Sequence, residues 1–195
     1  FGKRVLITRS REQSKKMADR IRTKGGAPIL FPTIQIKDPT DFSALDSAIT
    51  RISSYDWVVF TSVNGVEKFF SRLFLTGHDI RDLAGPRFGA IGPITAQSIR
   101  KHGIKVELLG EQFVAEGVLE ALKEKDVKGK RFLIPRAEKA RDILPDGIIN
   151  MGGSVDIVTV YRTDLPDQAD VELIWEVLKN GDVDVITFTS SSTVT

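Results

Sequence analysis

The chain contains the same phrases twice in the same order, and this internal repeat constrains its fold more than any other feature. GKRVLITR at 2–9 returns as GKRFLIPR at 129–136, with six of eight residues identical. A Gly-Gly pair follows both copies. DWVVFTSVNGV, which begins at Asp56, returns as DVITFTSSSTV, which begins at Asp184. Three matches in one order and at nearly one spacing indicate a duplicated unit.

The second copy of the repeat is shorter than the first. The first copy continues for about 60 residues beyond its Phe-Thr-Ser phrase, whereas the sequence ends five residues after Ser190. We therefore expect roughly 55 further residues, with a partner for GAIGPITAQSIRKHG at 89–103, to complete the second copy.

Local patterns alternate between strands and helices. KRVLIT and RFGAIG are short apolar runs typical of strands. After the first Phe-Thr-Ser, apolar residues follow the spacing of a buried helix face until Gly77, and this stripe comprises Val66, Phe69, Phe70, Leu73 and Phe74. Continuous apolar strands separated by helices indicate parallel sheets that are covered on both faces.

Two extended stretches occupy equivalent places in the two copies, FPTIQIKDP at 31–39 and VTVYRTDLP at 158–166. We interpret them as paired connectors. The predicted fold class is therefore α/β, with two duplicated parallel-sheet domains joined by a two-stranded connector.

Composition excludes several kinds of function. The 28 basic and 26 acidic residues nearly balance, which leaves no nucleic-acid footprint. Without cysteine the chain has no disulfide, thiolate metal site or cysteine nucleophile, and His78 and His102 have no neighbours at metal-ligand spacing. No apolar run approaches the roughly 18 residues of a membrane span. We expect an α/β protein of the cytoplasm with no metal and no membrane partner.

Short polar turns follow the predicted strands. Ligands of open parallel sheets bind beyond the carboxyl ends of the strands, against helix N-termini, so these turns predict a site for an anionic ligand. The turns are Thr8-Arg9, Thr61-Ser62-Val63-Asn64, Gly92-Pro93-Ile94-Thr95, Pro135-Arg136 and Thr189-Ser190-Ser191-Ser192. The alternative for each hydroxyl is a plain helix N-cap.

A few other side chains are candidates for chemistry. Arg9, Arg136 and Arg141 could pair bidentately with carboxylates or phosphates, or lie solvated at helix starts. Tyr161 lies on a connector, where its hydroxyl could reach a cleft or its ring could pack on a domain edge. His102 precedes a helix-ending glycine, which favours a role at the negative end of the helix dipole. No known catalytic signature is present, and the spacing alone gives no reaction.

Taken together, the phrases resemble one known family, uroporphyrinogen-III synthase. They are, in order, GKRVLITR, LFPTIQI, DWVVFTSVNGV, AIGPITAQSIRKHGI, GKRFLIPRAEKARDILP and VTVYRT. The similarity runs from residue 2 to the end, although the second copy of the IGP-T-A turn is missing. The resemblance implies a bilobed fold with a cleft between two domains. One domain would comprise 1–34 and 168–195 and the other 40–160, with connectors at 33–39 and 160–167.

The resemblance also implies a reaction. Hydroxymethylbilane, a linear tetrapyrrole with carboxylate arms, would lose water and close to uroporphyrinogen III with ring D inverted, through an azafulvene and a spiro-pyrrolenine. No cofactor is needed. Because this substrate closes spontaneously to the wrong isomer, the enzyme has to hold one conformation and shelter a cation from water.

By match to the family pattern, Tyr161 is expected to assist departure of the hydroxide. The residues expected to bind substrate are Thr61, Ser62, Asn64, Gly92, Thr95, Arg141 and Ser190. The opening FGKRVLITRSREQ resembles the junction of fused proteins in which a uroporphyrinogen methyltransferase precedes the synthase. That methyltransferase and hydroxymethylbilane synthase are the expected partners of a monomeric chain.

Two other functions remain open on the sequence. Duplicated α/β lobes with paired connectors also describe a non-enzymatic module that binds small anions, which would bind without turnover. TAQSIRKHGI superficially resembles the start of a helix-turn-helix regulator, although the near-neutral chain lacks the basic face that DNA binding requires.

Overall fold

The computed structural model describes residues 1–8, 11–110, 114–165 and 168–188. The strands are β1 (Arg4–Ile7), β2 (Ala27–Leu30), β3 (Gln35–Lys37), β4 (Trp57–Phe60), β5 (Arg87–Ala90), β6 (Leu108–Leu109), β7 (Arg131–Ala137), β8 (Ser154–Asp164) and β9 (Val185–Thr187). The α-helices are α1 (Arg11–Thr23), α2 (Ser43–Thr50), α3 (Val63–Leu75), α4 (Pro93–Lys101), α5 (Ala115–Lys123), α6 (Ile143–Asn150) and α7 (Gln168–Lys179). None of the helices in these ranges combines the length and the apolar composition that a bilayer span requires.

The chain divides into two compact units. The first comprises Phe1–Lys37 and Thr163–Thr195, and the second comprises Asp38–Arg162. In the first unit, β1 lies between β2 and β9 and is parallel to both. Leu6 and Ile7 of this central strand are buried, as expected for a strand that is covered on both faces.

A second sheet has the strand order β3-β8-β7-β4-β5-β6. The five strands from β8 to β6 are parallel, and all four residues of β4 are buried. The predicted α/β class with parallel sheets is therefore confirmed, whereas the duplication of whole domains stays a prediction.

Hydrophobic residues cover both faces of the second sheet. Trp57 and Val59 of β4 pack on one face with residues of α5 and α6, among them Val118 and Ile148. On the other face, the ring of Phe60 packs at 5.4 Å from that of Phe69 in α3. The alternation along β4 thus explains why this strand is apolar throughout.

The predicted buried stripe of α3 is correct except at its end. Val66, Phe69, Phe70 and Leu73 are fully buried, but Phe74 is 47% exposed. A helix of 13 residues is about 20 Å long, whereas a four-residue strand covers only about 13 Å, so the last turn of α3 extends past the strands beneath it.

The predicted connector 160–167 is continuous with a sheet strand over most of its length. Residues Ser154–Asp164 form the single strand β8, which lies between β7 and β3. Within the first unit, Lys37 Nζ at the end of β3 lies 3.2 Å from Asp164 Oδ2 at the end of β8. Residues 166–167 lie outside the described ranges.

The aspartate that opens the repeated phrase fixes the start of a neighbouring strand. In the second unit, Asp56 Oδ2 accepts the backbone N–H of Arg131 at 2.9 Å, and the Asp56 N–H donates to the Arg131 carbonyl at 2.9 Å. Lys130 Nζ lies 3.2 Å from the other carboxylate oxygen. The N–H of Arg131 and the charge of Lys130 lower the pKa of Asp56 below its ordinary value.

The corresponding residues of the first unit make the same interaction. Asp184 Oδ2 accepts the N–H of Arg4 at 2.7 Å, and Lys3 Nζ lies 2.9 Å from Oδ1. The N–H of Arg4 and then Lys3 lower the pKa of Asp184. Equivalent positions in the two copies therefore hold their β-strands together in the same way.

The repeated glycine pair also has one geometry in both units. Gly25 and Gly152 have φ angles of 77° and 84°, which the left-handed region allows glycine without strain. In each unit the following glycine N–H donates back to the preceding helix, to the carbonyls of Ile21 and Ile148 at 2.9 and 3.1 Å. The pair thus ends the helix and turns the chain into the next strand.

Replacing Asp56 by Asn is expected to lower the unfolding free energy by about 1 kcal/mol at neutral pH, because a partly exposed carboxylate loses its charge-assisted bonds. Because the folded pKa is depressed, this contribution is present above the ordinary aspartate pKa of 3.8 and is lost as the pH falls through the lower folded value. Urea unfolding of both proteins across this range measures the difference.

The matched control is Asp126→Asn, at an exposed position that accepts no strand N–H among the described residues. It should leave stability nearly unchanged at every pH. A deficit of Asp56→Asn that persisted undiminished far below pH 3.8 would contradict the assigned role of the charge.

Candidate active site

The predicted site residues of the second unit collect at the carboxyl edge of its sheet. The turns after β4 and β5 lead into α3 and α4, and the turn after β7 leads into α6. Because the strands are parallel, these turns and the helix N-termini that follow them lie at one edge of the sheet. Backbone N–H groups and helix dipoles therefore favour negative charge there.

Ser62 and Tyr161 form a hydrogen-bonded pair at this edge. Ser62 Oγ lies 3.1 Å from Tyr161 Oη, and it also accepts the N–H of Gly65 at 3.0 Å as the N-cap of α3. Tyr161 is only 8% exposed. Ser62 is therefore an N-cap, as one interpretation predicted, and it also contacts the candidate catalytic hydroxyl of Tyr161. Its role in substrate binding stays a prediction.

A β-bulge places Tyr161 in this position. Along β7 and β8, Arg136 pairs with Thr159, but the next residue, Ala137, pairs with Tyr161, so that Val160 is the extra residue. A bulge of this kind shifts the alternation of side chains along the strand, and such irregularities are common next to active sites.

The other predicted residues on the helix starts lie in the first turns of α3 and α4. Gly92 is the N-cap of α4, with Pro93 in the first turn, as the sequence predicts. Thr95 is buried in that first turn, and Asn64 is half-buried in the first turn of α3. These positions put backbone N–H groups at the sheet edge, but the structure gives no side-chain contact between them and Tyr161.

Thr61 and Arg141 line a cavity of about 240 Å³ at the same edge. The cavity lies between the end of β7 and the N-termini of α5 and α6, and its lining residues are Thr61, Ile91, Val114, Ala115, Glu116, Ile134, Arg136, Ala140, Arg141, Ile143, Leu144 and Pro145. The structure therefore brings these two predicted residues together, separately from the Ser62–Tyr161 pair.

Arg136 is the buried charged residue of the cavity lining. It lies inside β7, as does Pro135, so the predicted turn at Pro135-Arg136 is wrong because the strand continues to Ala137. Arg136 is 8% exposed and lines the cavity. Its Nη1 donates to the Arg141 carbonyl at 3.0 Å and its Nη2 to Asp142 Oδ1 at 2.6 Å. The position of Arg136 at the end of an apolar run was the sequence signal for its burial. The sequence pattern did not predict the turn that brings its hydrogen-bond partners, Arg141 and Asp142, to it.

Several candidates lie elsewhere or outside the described residues. Five of the candidates lie outside the described residues, namely Arg9, Thr189, Ser190, Ser191 and Ser192. The Thr8 hydroxyl donates to the Thr187 carbonyl at 2.7 Å, so it joins β1 to β9.

His102 is the C-cap of α4 and stacks on Phe70 at 4.0 Å between ring centroids. This position agrees with the predicted location at the negative end of a helix dipole. Within the described ranges, no group of three or more His, Asp or Glu residues could hold a metal ion.

Comparison with known proteins gives consistent matches over nearly the whole chain. A family model described as Uroporphyrinogen-III synthase HemD matches residues 15–195. The uroporphyrinogen-III synthase of Synechococcus elongatus is 33% identical over 196 residues, which cover 100% of this chain and 73% of that protein. The porphyrin biosynthesis protein HemD of Ruminiclostridium josui is 28% identical over 194 residues, which are 100% of this chain and 38% of that protein.

A solved structure has the same fold. A mutant uroporphyrinogen III synthase from Thermus thermophilus superposes with a TM-score of 0.71 at 20% identity, over 99% of this chain and 75% of that chain. At this identity the likeness establishes the fold.

A double-mutant cycle should reveal the Ser62–Tyr161 bond. Ser62→Ala is expected to cost about 1 kcal/mol of stability through the lost N-cap, and Tyr161→Phe about 1 kcal/mol through the lost hydroxyl bond. Because the two hydroxyls contact each other, the double mutant should lose about 0.5 kcal/mol less than the sum. Urea unfolding of the four proteins measures this coupling, and strict additivity would exclude the bond.

Proposed function

The chain belongs to the uroporphyrinogen-III synthase family, and we propose that it closes hydroxymethylbilane to uroporphyrinogen III with Tyr161 as the proton donor. The observation that carries the assignment of this residue is the 3.1 Å contact between its hydroxyl and Ser62 Oγ at the carboxyl edge of the sheet. The alternative of a non-enzymatic anion-binding module is not supported, because the matched family and the relatives described above belong to porphyrin biosynthesis.

In the proposed first step the Tyr161 O–H donates its proton to the departing hydroxide, which leaves as water. The substrate becomes an azafulvene cation and Tyr161 a phenolate. Ser62 can donate its own O–H to Tyr161 Oη, which leaves the tyrosine proton for the substrate and stabilises the phenolate afterwards. The Gly65 N–H, which Ser62 Oγ accepts, fixes the orientation of the serine.

The cation is then attacked by the substituted carbon of ring D, and the resulting spiro-pyrrolenine fragments and closes again. The final rearomatisation releases a proton from carbon, and this proton returns to the phenolate. The net change is the loss of one water. No oxidant, reductant or metal enters this balance.

The edge of the sheet offers two kinds of surface to such a substrate. The first turns of α3, α4 and α6 provide N–H groups for carboxylate arms, which is the role we propose for the positions of Asn64, Gly92 and Thr95. Ile94 is 71% exposed in the same turn of α4, and it provides an apolar surface for a pyrrole ring. Binding through backbone groups holds one conformation without many specific side chains.

Ser190 belongs to the second copy of the Phe-Thr-Ser phrase, and we propose that it binds substrate like Ser62. We also propose that the chain acts in the cytoplasm, as a monomer. A fused or neighbouring uroporphyrinogen methyltransferase and hydroxymethylbilane synthase are the proposed partners. In the Ruminiclostridium josui protein the matched region is 38% of a longer chain, whereas the Synechococcus elongatus protein is matched over 73% of its length.

Tyr161→Phe is expected to lower turnover severalfold or more while the protein stays folded, because the mutant cannot protonate the departing hydroxide. Hydroxymethylbilane generated in situ by its synthase is supplied to each protein. After oxidation, the type I and type III porphyrins are separated and quantified, so that spontaneous closure is measured in the same sample.

The other tyrosine of the chain provides the matched control. The Tyr55 hydroxyl donates to Asp156 Oδ2 at 2.6 Å, away from the turns that form the site. Tyr55→Phe therefore loses one buried hydroxyl bond but should keep the wild-type rate. An unchanged rate in Tyr161→Phe would remove this residue from the mechanism, and type I product alone from the wild type would remove the function.

A further inference from the structure

The geometry points to Arg136 as the residue that binds one carboxylate arm of the substrate inside the cavity between β7, α5 and α6. This inference rests on the proposed function for the identity of the ligand. Arg136 and Arg141 are both sequence candidates for pairing with a carboxylate, and the family resemblance implies Arg141. In the structure Arg141 is exposed, whereas Arg136 is buried in the wall of the cavity.

The Arg136 guanidinium is held firmly but is not fully satisfied. Its side chain is 10% exposed, and its two terminal nitrogens donate to the Arg141 carbonyl and to Asp142. Nε is buried and has no hydrogen-bond partner among the described residues. A buried N–H donor without an acceptor is costly, so a small displacement of the cavity lining that lets a carboxylate reach Nε would supply a bond that the free protein lacks.

Two helix N-termini at the cavity also lack side-chain caps. The N-cap residues of α5 and α6 are Val114 and Asp142, and neither makes a side-chain capping bond. Both helices have at least eight residues, and their first residues line the cavity. Their N–H groups and dipoles favour an anion at the position that faces Arg136.

Close packing of the two helices keeps these N-termini together. A Cβ on Gly147 of α6 would lie 2.4 Å from Leu119 Cδ1 of α5, so a larger residue there would require the Leu119 side chain to move. Thr61 also lines the cavity.

The fixed charges at the cavity do not cancel its preference for an anion. Asp142 is paired with Arg136 through Nη2, and the Glu116 side chain is exposed in the first turn of α5. Arg141 adds a second cation to the lining, and no side-chain partner for it exists among the described residues. The unpaired Nε, Arg141 and the two helix dipoles favour an anion in the cavity, and the exposed carboxylates of Glu116 and Asp146, in the first turns of α5 and α6, oppose it.

The size of the cavity selects an arm of the substrate over a ring system. Sites for whole drug-sized ligands occupy roughly 300–1,000 Å³, whereas this cavity has about 240 Å³. Its lining combines Arg136 with apolar residues such as Ile134 and Leu144. A short alkyl chain that ends in a carboxylate matches both parts of this surface.

Nuclear magnetic resonance can test the site without turnover. In protein labelled with ¹⁵N, propionate is expected to shift the Arg136 Nε–Hε resonance in a saturable manner. Propionamide, the neutral analogue of the same shape, should not shift it, and neither should sodium chloride at matched ionic strength. Arg100→Lys, at an exposed position in the last turn of α4, should leave the titration unchanged.

Kinetics separate binding from a purely structural role. Arg136→Lys keeps the positive charge but removes Nε, and it is expected to raise KM for hydroxymethylbilane about tenfold with a smaller change in kcat. The fraction of type I product should rise because the substrate is held less firmly. A structural defect alone would lower the melting temperature and the yield of active protein, but it would not raise KM more than it changes kcat.

The inference is overturned if propionate leaves the Arg136 Nε–Hε resonance unmoved, or if folded Arg136→Lys keeps the wild-type KM. These outcomes differ from failure of the proposed function. If the wild type gave only type I product, the enzyme assignment would fall, and the propionate titration would still decide whether the cavity binds a carboxylate.

Discussion

In each unit, an aspartate carboxylate just before one strand accepts a backbone N–H at the start of the adjacent strand. This hydrogen bond fixes the register of the two strands, and the rest of the unit depends on that register. In the second unit Asp56 fixes β4 against β7, so that Trp57 pairs with Phe132 and Val58 with Leu133. Side chains alternate along a strand, and a slip of one residue would exchange the two faces. After such a slip, Trp57 and Val59 would no longer lie in the core formed with α5 and α6.

The register set at one edge of the sheet determines the site at the other. From Asp56, four buried residues of β4 lead to Thr61 and Ser62, and from Arg131 the strand β7 leads to Arg136. The candidate site therefore consists mainly of backbone N–H groups at helix starts, with few side chains at fixed positions. In the proposed function such a site binds carboxylates through backbone N–H groups, and binding of this kind requires no catalytic signature in the sequence.

Most of the strands and helices could be predicted because their signals are local. The apolar run of β4, Pro93 in the first turn of α4 and the repeated glycine pair each have a direct physical cause in the sequence. Tertiary features could not be predicted in this way. The exposure of Phe74 depends on where the strands beneath α3 end.

The site itself was predictable only in part. The turns after β4 and β5 could be located because parallel strands place their carboxyl ends at one edge, whereas Pro135-Arg136 was predicted as a turn and lies inside β7. The Ser62–Tyr161 contact requires the bulge that makes Val160 the extra residue in β8, and no sequence signal marks that bulge. The environment of Arg136 depends on the turn after β7, which brings Asp142, six residues later in the chain, into hydrogen-bond contact with it.

The most direct test of this account is a map of backbone amide shifts on binding uroporphyrinogen III under anaerobic conditions. The account predicts the largest changes in the turns at 61–65 and 92–95, in the segment 136–145, and at Tyr161. Changes centred on the opposite edge of the sheet, around Asp56, Arg87 and Arg131, would contradict it, because the carboxyl edge would then not be the surface that binds the tetrapyrrole.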